Sequence, residues 1–159
     1  MAFLPATDLP VVAALQGLEL ETGGEHQILH GDFNAGNLRQ KAGAIRIFDL
    51  DDCGYGPVEF DVANALYMVL FDAVTGKRPE IYDAFATPFK AAYCVGAGID
   101  LSHEVIVGLI ACRINALGRW IDDLPSAPIG IRNATPEWRE VLRAFVHELS
   151  ETRAYERAL

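Results

Sequence analysis

Lysine is scarce in this sequence. Of 13 basic residues only Lys41, Lys77 and Lys90 are lysines, against 22 acids and a formal charge of −9. No run or stripe of Lys and Arg exists, so no nucleic-acid partner is expected. The acidic balance reads as ordinary solubility. Cysteine is sparse too: Cys53, Cys94 and Cys112 show neither paired nor metal-type spacing. An odd, low count suits a reducing compartment, and the expected location is the cytoplasm. Long apolar runs are also missing. The opening MAFLPATDLP has no basic n-region and no adequate hydrophobic core, so it does not read as a signal peptide. The most apolar stretch, 62–74, is interrupted by Asn64 and Asp72 and is too short to span a bilayer. No membrane is expected.

What is present is 159 residues, 51% hydrophobic and 22% charged. That is one globular domain on the usual scale of ~150 residues each. The pattern predicts a short helix over 10–20, ended by Gly23 and Gly24, and then an apolar approach from Gln27 to a polar loop, HGDFNAGN. Two short strands over 38–39 and 44–49 follow, joined through Gly43 as a hairpin. Gly54, Gly56 and Pro57 predict a loop. The rest reads as helical: 59–74 apolar nearly all round, 79–95 kinked or broken at Pro88, and 101–122 with a long 3.6-residue stripe. After a Pro-rich loop over 124–134, Thr135 as N-cap and Pro136 at the first helical position open a last helix. Trp138, Val141, Leu142, Phe145 and Leu149 are its expected inward face, and Trp120 and Trp138 read as core. The expected architecture is α+β, mostly α-helical: a small β-hairpin with polar loops, backed by four or five helices.

The residues with chemical content lie between His30 and Asp61. They are His30-Gly31-Asp32, Asn37 five positions after that Asp, and Asp49 at the end of the next apolar strand. Phosphoryl transfer needs a carboxylate to orient and deprotonate the attacking hydroxyl, and hard oxygen ligands to hold Mg²⁺ against nucleotide phosphates. A hairpin between Asn37 and Asp49 would fold two such ligands back toward each other. Turn chemistry alone could also place Asp and Asn in such a loop, but it does not require a strand-terminal acid at that distance. Lys77 in TGKR has no glycine five residues before Gly76 and is discarded as a phosphate loop. A phosphatase built on Asp49 and Asp51 would need the alternating strands of a doubly wound sheet, which are missing.

HGDFNAGN followed by IRIFDLDDCGYGPVEFDVANALY resembles the aminoglycoside phosphotransferase and choline kinase-like family, of protein-kinase-like fold. The wording is closest to its stress-response-kinase and homoserine-kinase-like branches. The resemblance implies a kinase-like C-terminal lobe filling one domain over 1–159, with a catalytic segment at 28–61 and a helical remainder at 62–159. It implies Asp32 as catalytic base, Asn37 and Asp49 as ligands of Mg²⁺ and the nucleotide, and Asp61 as a brace holding the catalytic loop through backbone N–H groups. His30 would support the loop from behind. Asp51 stays open between a part in metal or water binding and a capping or solvated one. The implied activity is transfer of the γ-phosphate of ATP or GTP to a hydroxyl of a small molecule. Family members also carry an N-terminal lobe with a phosphate-pairing lysine, which this chain is expected to lack, leaving it open between a fragment, a truncated gene product and a subunit completed by a second chain or by self-association. The alternative is a non-catalytic binding or regulatory module derived from a kinase lobe.

Overall fold

The computed structural model describes residues 26–156. The helix expected over 10–20 lies outside them. Two antiparallel two-stranded ribbons come first, and helices follow. Strand β1 (His26–Leu29) pairs with β4 (Gly54–Pro57), with Leu29 opposite Gly54 and His26 opposite Pro57. Between them, β2 (Leu38–Lys41) pairs with β3 (Ala44–Ile47). Ala42 and Gly43 both take positive φ, 51° and 79°, the handedness that lets a two-residue turn follow the twist of its strands. The 54–57 segment is therefore a strand and not the loop its glycines and proline suggested. A two-stranded ribbon tolerates this, because Pro57 sits at the strand's end, where a missing N–H breaks no interior ladder bond.

The helical body has α1 (Glu59–Thr75), α2 (Glu80–Ala97), α3 (His103–Asp122), the single turn α4 (Ile129–Arg132) and α5 (Pro136–Thr152). The turn α4, with a 3₁₀ turn at Leu124–Ser126, occupies what was expected to be plain loop. Helix α1 runs through the centre: Val62, Ala63, Leu66, Tyr67, Leu70 and Ala73 are all buried, which explains its nearly all-round hydrophobicity. Ser102 caps α3 by accepting from the Val105 N–H, and Thr135 caps α5 by accepting from that of Trp138. Phe145, Leu149, Ile106, Ile110 and Leu66 fill the common core.

Helix α2 does not break at Pro88. Proline there removes the bond that would reach the carbonyl of Ala84, but Ala84 and Pro88 both face solvent, where water can take that carbonyl. Buried Tyr82 and Ala86 hold the two halves to the core. Trp138 is also displaced from its expected place: it is 45% exposed, touching the core through an edge contact to Phe71 at 5.8 Å. Trp120 is only partly buried.

Candidate functional site

The loop between β1 and β2 is assembled around one carboxylate. Asp61, in the first turn of α1, accepts from the His30 N–H through Oδ2 at 2.7 Å and from the Gly31 N–H through Oδ1 at 2.9 Å. Both oxygens of a side chain fixed in a helix are thus spent on two successive amides of the loop, bonds stronger than neutral ones because the acceptor is ionised. Gly31 has φ of +84°, and a Cβ there would lie 2.1 Å from the Asp52 carbonyl oxygen. Only glycine allows the loop to turn against the 49–53 segment at that point.

His30 is 8% exposed. Its Nδ1 accepts from the Asp32 N–H at 3.3 Å, so the ring proton sits on Nε2 and is donated to the Phe48 carbonyl at 2.9 Å. The ring therefore ties the loop to the end of β3. Asn37, buried in a 3₁₀ turn capped by Asn34, donates through Nδ2 to the Asp32 carbonyl at 2.9 Å and to Asp32 Oδ2 at 3.0 Å. Its own carbonyl accepts from the Phe48 N–H at 3.2 Å. Asp49 follows directly, exposed, with φ of +65°. A non-glycine residue in that left-handed region is uncommon and costs of order 1–3 kcal/mol, a strain that clusters where a side chain must be aimed. Asp51 and Asp52 are exposed in the turn that follows.

His30, Asp32, Asn37 and Asp61 thus form one hydrogen-bonded unit, with Asp49 adjoining it through Phe48. Sequence reasoning passed over one further member of this unit and one charge that acts on it. Asn64, fully buried in α1, donates through Nδ2 to Asp32 Oδ1 at 3.3 Å and to the Phe33 carbonyl at 3.4 Å. Its signal was visible: a lone amide inside an apolar helix, one turn after Asp61. Arg113 on α3 is the other. Its guanidinium lies over the Tyr67 ring at 5.0 Å. Burial pulls its pKa below the ordinary value, while Tyr67, Asp32 and Asp52 favour the charge. It stands four residues from Leu109 and from Leu117, both buried, a charge set in an apolar stripe. Tyr67 itself is pushed up to about 12 by burial, against the lowering pull of Arg113.

Among the described residues, no three His, Cys, Asp or Glu side chains gather as a metal cluster, and no helix is long and apolar enough to cross a membrane. The ribbons, braced loop and helical bundle define the mostly helical part of a kinase-like fold. Consistent with that, the structure matches that of the amicoumacin kinase hAmiN in complex with AMP-PNP, Ca²⁺ and Ami, with a TM-score of 0.50 and 20% sequence identity. The match covers 93% of this chain and 46% of that one, so the chain spans about half the length of that kinase. The phosphotransferase enzyme family model matches residues 3–103. The chain belongs to that family, the aminoglycoside phosphotransferase-like kinases. No curated protein matches it significantly.

Proposed function

We propose that the chain carries the acceptor-activating part of a small-molecule kinase, which moves the γ-phosphate of ATP or GTP to a hydroxyl. The observation that carries this reading is the fixed position of Asp32: Asn37 holds one of its oxygens, Asn64 the other, and Asp61 fixes the backbone before it. A carboxylate restrained in this way can orient an alcohol and take its proton without searching for the geometry. Asn37 spends Nδ2 on Asp32, so Oδ1 is its atom for a cation. Together with the carboxylate of Asp49, which follows the Phe48 that bonds to the Asn37 backbone, the donor set would be hard oxygen, which fits Mg²⁺ with water and phosphate oxygens completing the shell. Such an ion would neutralise the charge on the transferring phosphate. Asp51 is left to a supporting part at the edge of that shell. The groups that cover the phosphates, a lysine among them, would come from outside residues 26–156, in the same polypeptide or in a second chain. Cytoplasm is the proposed location.

The test is phosphorus NMR of the protein with Mg-ATP and a panel of hydroxyl compounds. Appearance of a phosphate monoester with ADP, dependent on the metal, is the expected result. Nucleotide that stays intact with every acceptor, also after addition of a nucleotide-lobe partner, would favour the non-catalytic module instead.

A further inference from the structure

A cavity of about 420 Å³ opens in the helical body, with Phe60, the neighbour of Asp61 in α1, on its wall. Phe60, Tyr67 and Phe71 of α1, Arg113 and Trp120 of α3, and Trp138 of α5 form its characteristic walls. The volume falls in the range that encloses small organic ligands, roughly 300–1,000 Å³. Arg113 is the one charged side chain on that wall. Among the described residues it makes no ion pair, and its contact is the stacking on Tyr67. A guanidinium does not escape burial by losing its proton, so a full positive charge faces a largely apolar space. Among the described residues its N–H fork has no acceptor, and a half-buried guanidinium of that kind gains two directed, charge-assisted bonds when a carboxylate meets it. Asp32 and Asp52 both favour the charge on Arg113. Asn64, which touches Asp32, and Tyr67, which touches Arg113, are one turn apart on α1.

We propose that this cavity is the acceptor pocket, and that it takes an aromatic, mostly apolar hydroxyl compound bearing a carboxylate, with the carboxylate held by Arg113. The assignment rests on the phosphotransferase reading for the word acceptor, and on the cavity's own chemistry for the rest. A polycationic sugar has no seat here, because no Asp or Glu lines the wall and the single charge would repel it. Five aromatic rings around one guanidinium favour a flat ring and an anion instead.

Trp120 and Trp138 supply the readout. Their fluorescence is titrated in the intact chain with para-hydroxyphenylpropionate, its methyl ester and glucosamine. The carboxylate should bind at least about tenfold more tightly than the ester, the usual scale of a charge-assisted hydrogen-bond pair, and glucosamine should not compete. Arg113→Gln should erase the difference and leave ester binding intact, and Arg113→Lys should keep part of it. Equal binding of acid and ester by the unmodified chain overturns the proposal whether or not the variants fold. So does tighter binding of glucosamine. The same samples given Mg-ATP separate the two claims. Carboxylate selectivity with no transfer to any hydroxyl would sink the kinase reading and the acceptor role. Transfer to aminosugars or neutral sugars with no preference for the acid would sink the pocket assignment alone.

Discussion

The segment over 26–58 and the helical body over 59–156 are held by different forces. The first has two short ribbons whose apolar side chains are largely uncovered: Ile28, Ile45, Ile47, Leu50 and Tyr55 are all exposed. Its order comes from hydrogen bonds to a few polar groups, above all the Asp61 carboxylate and the His30 ring. The second has a contiguous apolar core in which Tyr67, Phe71 and Phe145 meet edge to face. The proposed chemistry sits on the lightly packed part and stability on the other, and α1 joins them, since Asp61 and Asn64 bond to the loop while Val62, Leu66 and Leu70 are buried in the core.

The comparison breaks most sharply if a core variant and a loop variant behave alike. Phe145→Ala removes a ring that is 1% exposed and should cost ~3–5 kcal/mol, read as a large fall in the denaturation midpoint. Asp61→Ala leaves two loop amides without acceptors and should cost about 1.5–3 kcal/mol per bond at most, much of it regained where water reaches the loop. Its main effect should be on turnover, at least ~10-fold, with a smaller midpoint shift than Phe145→Ala; the reverse order would erase the distinction between the regions. Gly31→Ala should lower turnover while leaving the helical circular dichroism unchanged, because its added methyl meets the backbone and Cβ of Asp52, outside the helices.

A smaller effect concerns pH. Burial raises the Cys112 thiol from 9.0 to about 11 and Tyr67 from 10.0 to about 12. Between those values the unfolded chain releases protons that the folded chain keeps, so stability must fall as pH rises through that window. Both groups belong to the helical body. The denaturation midpoint should therefore drop from about pH 9 upward by the same amount in Gly31→Ala and in the unaltered chain, and a difference between them would mean that the loop shares the core's titration.

Much of this division was legible in the sequence, for physical reasons. The helices from Glu59 onward announce themselves by period and by caps such as Thr135-Pro136, because burial along one face needs that spacing. The candidate site residues stood out because Asp32, Asn37 and Asp49 stand at fixed intervals on a loop and a hairpin. Short ribbons carry little such signal, so β4 hid behind its glycines. Pro88 misled because a proline's cost depends on whether the orphaned carbonyl meets water, which only the fold decides. Asn64 and Arg113 were single polar residues in apolar helices, and the partner that gives each meaning lies on a different element, 32 residues away for Asn64 and Asp32.

The central claim is that Asp32 is the base of a phosphotransferase, positioned by its neighbours and not a part of the loop's support. The direct measurement is kcat for Asp32→Asn in the phosphate-transfer assay, with the denaturation midpoint recorded on the same preparation. Asparagine keeps one oxygen, which can accept from Asn37 or from Asn64 but not from both, the other amide turning its own oxygen toward the new NH2, and it cannot take a proton. The account predicts a fall of at least ~100-fold in kcat with an almost unmoved midpoint. Near-normal kcat, or a loss of rate matched by a loss of fold, would contradict it.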